Sequence, residues 1–193
     1  GLEVTVLEAR EGLGGVWRFD GTGQHVGVRT GQRATSSKYY LGFSDFPLAD
    51  EAEDFVSHEA YMAYLAAYAQ RFRVSEQIRF HCSVTAVQRV GGGWSVEFDG
   101  GHGPEVLSCD CVAVCSGLHS SAETPQAAGF EGRVLHSREL KDAWEALRGQ
   151  RVVVVGGGET GAELAHVAAT AGVAPGLLSL RRGITAIGPY LTL

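Results

Sequence analysis

Between Asp54 and Phe72 the apolar positions Tyr61, Tyr64, Leu65, Tyr68 and Phe72 fall at i, i+3, i+4, i+7 and i+11. That spacing is one face of an amphipathic helix, and Ser57 stands where it can cap the first turn. The rest of the chain is patterned differently. "LEVTVLEAR" alternates apolar and polar positions over about six residues and ends at Glu8, as a half-buried strand does, with "EGLGGVW" following as a glycine-rich turn. "IRFHCSVTAVQRV", "GGWSVEF" and "EVLSCDCVAVCSG" read as strands joined by glycine-rich turns, an antiparallel meander. The last of them finishes as "VAVCSG", a buried parallel-type strand that delivers Gly117 to a loop where backbone can approach a ligand closely.

The C-terminal third has a second signature. Val152 to Val155 form a β-branched run, followed by Gly156, Gly158 and Gly161 and then a helix whose small apolar side is predicted to hold Ala162, Leu164, Ala165 and Ala168. A strand, a GxGxxG loop and a helix in that order make a dinucleotide site. The first glycine permits the tight turn, the second lets backbone approach a pyrophosphate, and the third lets the helix pack closely, with phosphate seated on the free N–H groups of the helix start. The next strand, "LLSLRRG", ends in Arg181 and Arg182 where an NAD site carries an acid. Two guanidiniums at that place select a 2′-phosphate by charge-assisted forks and predict NADPH. Glu8, at the end of an earlier strand, fits the complementary role of accepting both hydroxyls of an adenosine ribose.

Composition removes several classes of function. The 193 residues carry 16 Lys+Arg against 22 Asp+Glu, a net charge of −6, so no nucleic-acid partner is expected. No apolar run approaches the roughly 20 residues that span a bilayer and no signal-peptide pattern opens the chain, which predicts a soluble segment with no visible membrane association. Cys82, Cys109, Cys111 and Cys115 contain no CxxC and pair with no histidine at zinc-site spacing. They are expected to be reduced core residues, and no metal is predicted.

Two nucleotide signals in one chain point to a flavoprotein that takes hydride from NADPH. "GGVW" at Gly14 to Trp17, "SSKYYLGFSDFP" at Ser36 to Pro47, "VCSG" at Val114 to Gly117 and "FEGRVLHSREL" at Phe130 to Leu140 resemble the class B flavin-dependent monooxygenases, and among them the dimethylaniline-type flavin-containing monooxygenases. The FxGxxxHS element, filled by Phe130, Gly132, His136 and Ser137, is the most specific part of the likeness.

The resemblance implies an α/β fold of two nested Rossmann-like, doubly wound nucleotide-binding domains. Residues 1–140 would be a partial FAD-binding domain with a helical and β-meander insert, and 141–193 the first part of an NADPH-binding domain inserted into it. It also implies that the first FAD strand and its phosphate loop precede Gly1. By the same resemblance Glu8 takes the ribose of FAD, Gly15, Val16 and Trp17 line the cofactor together with Ser36 and Gly117, and Thr160, Gly161, Ala162 and Glu163 at the helix start face NADP. His136 and Ser137 lie on the linker between domains.

The implied reaction inserts one oxygen atom of O2 into a soft nitrogen or sulfur of a small-molecule amine or sulfide by way of a flavin hydroperoxide, with the cofactor carrying the chemistry. Thr35 stands where the family usually places an Asn that steadies the oxygenated flavin, which makes Thr35 the candidate catalytic residue and opens a leak to hydrogen peroxide. Leu140 replaces the aromatic that often ends the FxGxxxHS element, and the Trp of Baeyer–Villiger relatives is missing. An NADPH oxidase or diaphorase on the same fold, and a non-catalytic fragment or paralogue, remain as alternatives. The compartment stays open between the cytoplasm and the surface of the endoplasmic reticulum.

Overall fold

A computed structural model of the chain describes residues 1–119, 121–141, 147–173 and 176–183. In chain order its elements are β1 (Val6–Leu7), α1 (Lys38–Leu41), α2 (His58–Arg71), β2 (Ile78–Arg79), β3 (Ser83–Val90), β4 (Gly93–Asp99), β5 (Pro104–Cys109), β6 (Val152–Val155), α3 (Glu159–Thr170) and β7 (Gly176–Ser179). Short 3-10 turns lie at Gly15–Trp17, Val74–Gln77 and Ser137–Glu139. The fold is mixed α/β, with β1 parallel to β2, β6 parallel to β7, and β3-β4-β5 antiparallel. Residues 184–193, part of the expected NADPH domain, lie outside the described residues.

The aromatic stripe of α2 produces the first core. Ser57 accepts from the amide of Ala60 and caps the helix. Tyr61 and Tyr64 are buried with Ala34 and Val56, and Trp17, Leu41, Phe46, Leu48, Ala52 and Leu65 pack around them. Each phenol finds a partner: Tyr61 donates to the carbonyl of Leu41, and Tyr64 to that of Phe46 while accepting from the amide of Phe43. Buried aromatic bodies with satisfied hydroxyls are what tyrosine contributes over phenylalanine here.

The meander forms over β3–β5, with an irregularity in β3 between Val84 and Ala86, but "IRFHCSVTAVQRV" is not one strand: Ile78–Arg79 pairs with β1 in a separate sheet. It is tied to β2 by the Arg79–Glu105 ion pair at 2.7 Å, and the Arg79 guanidinium lies over the Phe98 ring. A second core gathers Leu140, Leu147, Ala168 and Val173 between α3 and the start of the β6–α3–β7 unit.

Other expectations are corrected as well. The N-terminal strand is paired over Val6 and Leu7 only, because its one ladder partner among the described residues is the two-residue β2. "VAVCSG" lies in no ladder, and Val114 is 79% exposed: a continuous apolar run is compatible with a parallel strand but becomes one only where neighbouring strands offer N–H and C=O groups. The cysteines are free, yet only Cys82 is buried. Cys109 is half-buried, and Cys111 and Cys115 are exposed along the same unpaired stretch. On α3 the buried side is Leu164 and Ala168 with Ala165 half-buried, while Ala162 is exposed, since two residues of helix turn it well away from Leu164.

Among the described residues no helix is long and apolar enough to cross a membrane.

Candidate functional site

The glycine loop is built as the spacing requires. Gly156 takes a φ of 125°, which only glycine adopts without strain, and its amide donates to the carbonyl of Ser179 at the end of β7. A Cβ on Gly161 would overlap the Gly156 carbonyl, so the helix start can lie this close to the loop only if residue 161 has no side chain. Gly158 caps α3 without a side-chain bond, leaving the first amides of the helix for another partner. Gly157, Leu180, Arg181, Arg182 and Gly183 line one cleft of about 470 Å³ at this end of the sheet. Exposed Thr160 stands in the first turn of α3. Free amides, a glycine-walled approach and two arginines on one cleft form a donor set suited to a pyrophosphate and a further phosphate.

Glu8 leaves β1 half-buried, and its carboxylate accepts the Arg10 amide at 2.8 Å. Arg10 then donates to the carbonyl of Gly15 at 3.1 Å, so Glu8 and the Gly15–Trp17 turn are joined through one residue. Gly14 has a φ of 118° and faces Met62 of α2 where a Cβ would collide. Val16 is exposed, and Trp17 turns inward onto Tyr61 with ring centroids 4.6 Å apart. Val16 also accepts the amide of Val28 at 2.8 Å, and Gly27 lies against the carbonyls of Val16 and Arg18.

The segment that follows carries the candidate catalytic residue. Ala34 is buried in the α2 core and its amide donates to Val56, which leaves Thr35 and Ser36 exposed at the surface. Below them Ser37 and Lys38 are buried, and the Lys38 ammonium donates to the carbonyls of Asp50 and Ala52. The turn is therefore fixed from beneath and open above. Thr35 donates to Glu159 of α3 with the oxygens 3.4 Å apart.

Sequence reasoning missed three residues in this region. Arg29, 7% exposed, forms an ion pair with Glu163, so that acid meets an arginine of the 27–35 segment. Lys141, 4% exposed, donates to the carbonyls of Gly27 and Val28, and burial pushes its pKa below the usual lysine range, against a smaller opposing pull from Asp20. Glu159 sits inside the GxGxxG spacing at a position any residue can fill. Long cations normally mark solvated faces, and nothing in "VRTG" or "RELK" distinguishes them.

Of the remaining predicted residues, His136 and Ser137 are held by local contacts. Gly117 is exposed at a φ of 84° with open space where a Cβ would be. His136 accepts the Arg138 amide on Nδ1 while its own amide donates to Glu139, a reciprocal cap for the turn that begins at Ser137. The backbone of this turn lies against Gly23.

This chain belongs to the flavin-binding monooxygenase-like family, whose family model matches residues 1–189. It is 30% identical to human flavin-containing monooxygenase 5 over 206 aligned positions, covering 98% of this chain and 38% of that protein. It is 33% identical to mouse dimethylaniline monooxygenase [N-oxide-forming] 4, covering 85% of this chain and 31% of that one. Among solved structures, a crystal structure of OTEMO in complex with FAD and NADP superposes with a TM-score of 0.69 at 26% identity, over 94% of this chain and 35% of that one. The chain thus spans about a third of the length of the curated relatives it matches.

Proposed function

We propose that the protein is an FAD- and NADPH-dependent monooxygenase that passes one oxygen atom of O2 to a soft nitrogen or sulfur centre of a small amine or sulfide. The observation that carries this reading is the cleft shared by Gly157, Arg181 and Arg182 at the open start of α3, in a chain whose family match runs over residues 1–189. The mouse relative's N-oxide-forming activity supports nitrogen as the acceptor, and the FAD and NADP held by OTEMO support the cofactor pair. In this reading residues 1–140 belong to an FAD domain, and the β6–α3–β7 unit opens an NADPH domain nested within it.

FAD, when bound, supplies the redox chemistry between NADPH, O2 and substrate. The chain's own part is to bind, orient and exclude water. Glu8 would accept the adenosine ribose hydroxyls, and Gly15, Val16, Trp17, Ser36 and Gly117 would border the flavin cofactor. The amides of Thr160, Gly161 and Ala162 would seat the NADPH pyrophosphate past Gly156 and Gly158, while Arg181 and Arg182 grip the 2′-phosphate. Thr35 offers one hydroxyl where the chemistry takes place. His136 and Ser137 hold the connection between the two domains.

A second reading, an NADPH oxidase, is favoured by one observation: the Thr35 hydroxyl has one donor, already directed at Glu159, and no separate carbonyl acceptor of the kind an amide offers. The test of the shared part is the flavin spectrum of the protein expressed over its whole coding sequence. Flavin absorbance that is bleached by NADPH without oxygen supports the proposal; protein that takes up no flavin when FAD is supplied overturns it.

A further inference from the structure

The segment Gly27–Thr35 touches both nucleotide sides of the molecule. At one end Val28 donates to the carbonyl of Val16 in the turn assigned to the flavin side. The next residue, Arg29, reaches the opposite way and pairs with Glu163 in the second turn of α3. Thr35 donates to Glu159, four residues earlier on the same helix face and about 6 Å along its axis. Lys141 adds two bonds to the carbonyls of Gly27 and Val28. Arg29, Lys141, Gln32, Glu163 and Val167 line a half-open cleft of about 220 Å³ between segment and helix, so the contact is incompletely filled there.

An incompletely filled contact gives little register by packing alone, and domains joined by such interfaces move relative to each other by default. An ion pair with one buried member is weak as a source of stability but directional, and the best-attested use of such pairs is to set register. Arg29 is held for that task. Its amide donates to Gln32 and its carbonyl accepts from the Gln32 amide, and the guanidinium keeps Nη1 buried without a partner among the described residues. A side chain retained at that desolvation cost for one partner acts through the partner's position.

We propose that Arg29, through Glu163, is a positioning residue that fixes α3 and its glycine loop in register with the Val16 and Thr35 turns, and so sets how NADPH meets the flavin. The proposal rests on the cofactor assignment above. Its signature is a split between affinity and rate. The phosphates of NADPH would be gripped by the glycine loop, Arg181 and Arg182, none of which bonds to Arg29 among the described residues, whereas the alignment of the two rings depends on where α3 stands.

The experiment uses the FAD-loaded protein from the whole coding sequence, with Arg29→Gln, Arg29→Lys and Glu163→Gln. Flavin content, thermal midpoint, the dissociation constant for NADP+ and the anaerobic rate of flavin reduction by NADPH are measured for each. Arg29→Gln should keep flavin and bind NADP+ within about 2-fold of the parent, yet be reduced about 10-fold more slowly, a loss within the range that an ångström-scale misplacement produces. Arg29→Lys, which can still reach for Glu163 as a charge, should recover part of the rate. If Arg29→Gln sheds its flavin, Glu163→Gln, altered at a half-exposed position, provides the rate of flavin reduction and Arg29→Lys the NADP+ affinity. An unchanged reduction rate, or a loss that only tracks flavin content, overturns the proposal. Failure of the cofactor assignment itself is distinct, because the unsubstituted protein would then not bind NADP+.

Discussion

Thr35 and Glu159 stand 124 residues apart in the chain and 3.4 Å apart in the structure, the hydroxyl of one directed at the carboxylate of the other. The candidate catalytic turn and the helix start of the nucleotide unit are therefore neighbours. Thr35→Asn, in the protein expressed over its whole coding sequence, should replace one hydroxyl with an amide whose donor and acceptor are separate groups that can serve two partners at once. The expected gain is about 1–2 kcal/mol in the partition between oxygen transfer and peroxide release, the scale of one hydrogen bond. Peroxide formed per NADPH consumed, with a tertiary amine present and absent, is the readout. An unchanged ratio with flavin retained would show that residue 35 does not reach the reacting atoms.

Gly161→Ala places a methyl group against the Gly156 carbonyl. The loop must then shift, at a cost of about 1–3 kcal/mol typical of overpacking. A lowered thermal midpoint with weakened NADP+ binding is expected. Full retention of both would mean that the loop yields freely.

Arg181 and Arg182 border the glycine cleft at the far end of β7. Replacing both by Ala should weaken NADPH by about 2–4 kcal/mol, the loss of charge-assisted contacts, and leave NADH nearly unchanged. Equal losses for the two coenzymes would assign the arginines to folding instead.

Ser57→Ala removes the side-chain cap of α2 and should cost about 1 kcal/mol of stability, read from urea unfolding. The cap stands at the base of the Thr35 turn, where the His58 amide donates to Gln32 and Ala34 pairs with Val56. The loss should therefore be accompanied by a small fall in flavin retention.

Asp20 accepts from the Thr22 hydroxyl first, and also from the amides of His25 and Thr22, which together bring its pKa from 3.8 down to about 2. A carboxylate whose folded pKa is depressed contributes stability that is present above its unfolded pKa and is lost as pH falls through the folded one. That contribution should fade between about pH 4 and pH 2. Thr22→Ala should move its loss to higher pH, visible as an earlier acid limb in unfolding midpoints.

The parts that were legible in the sequence are those where local pattern and packing agree. The stripe on α2 has helical period and a cap, the meander alternates between glycine turns, and the loop from Gly156 to Gly161 follows a strand and opens a helix. What could not be read depended on distant partners. "VAVCSG" has the composition of a buried parallel strand, but a ladder needs neighbours that no local pattern supplies. Arg29 and Lys141 look like surface cations because burial of a long charged side chain is set by the carboxylate or carbonyls it meets, here 113 residues or more away for Lys141. The likeness to the family located Thr35 but carried no sign that Glu159 faces it.

The most direct measurement follows the oxygen atom. The FAD-loaded protein from the whole coding sequence would be given NADPH, a tertiary amine or a sulfide, and isotopically heavy dioxygen, and the product analysed by mass. A monooxygenase incorporates one heavy oxygen atom into the N-oxide or sulfoxide, in an amount that tracks NADPH consumed beyond that lost as peroxide. NADPH consumption matched entirely by peroxide, with no heavy oxygen in either substrate, would contradict the account and leave an oxidase in its place.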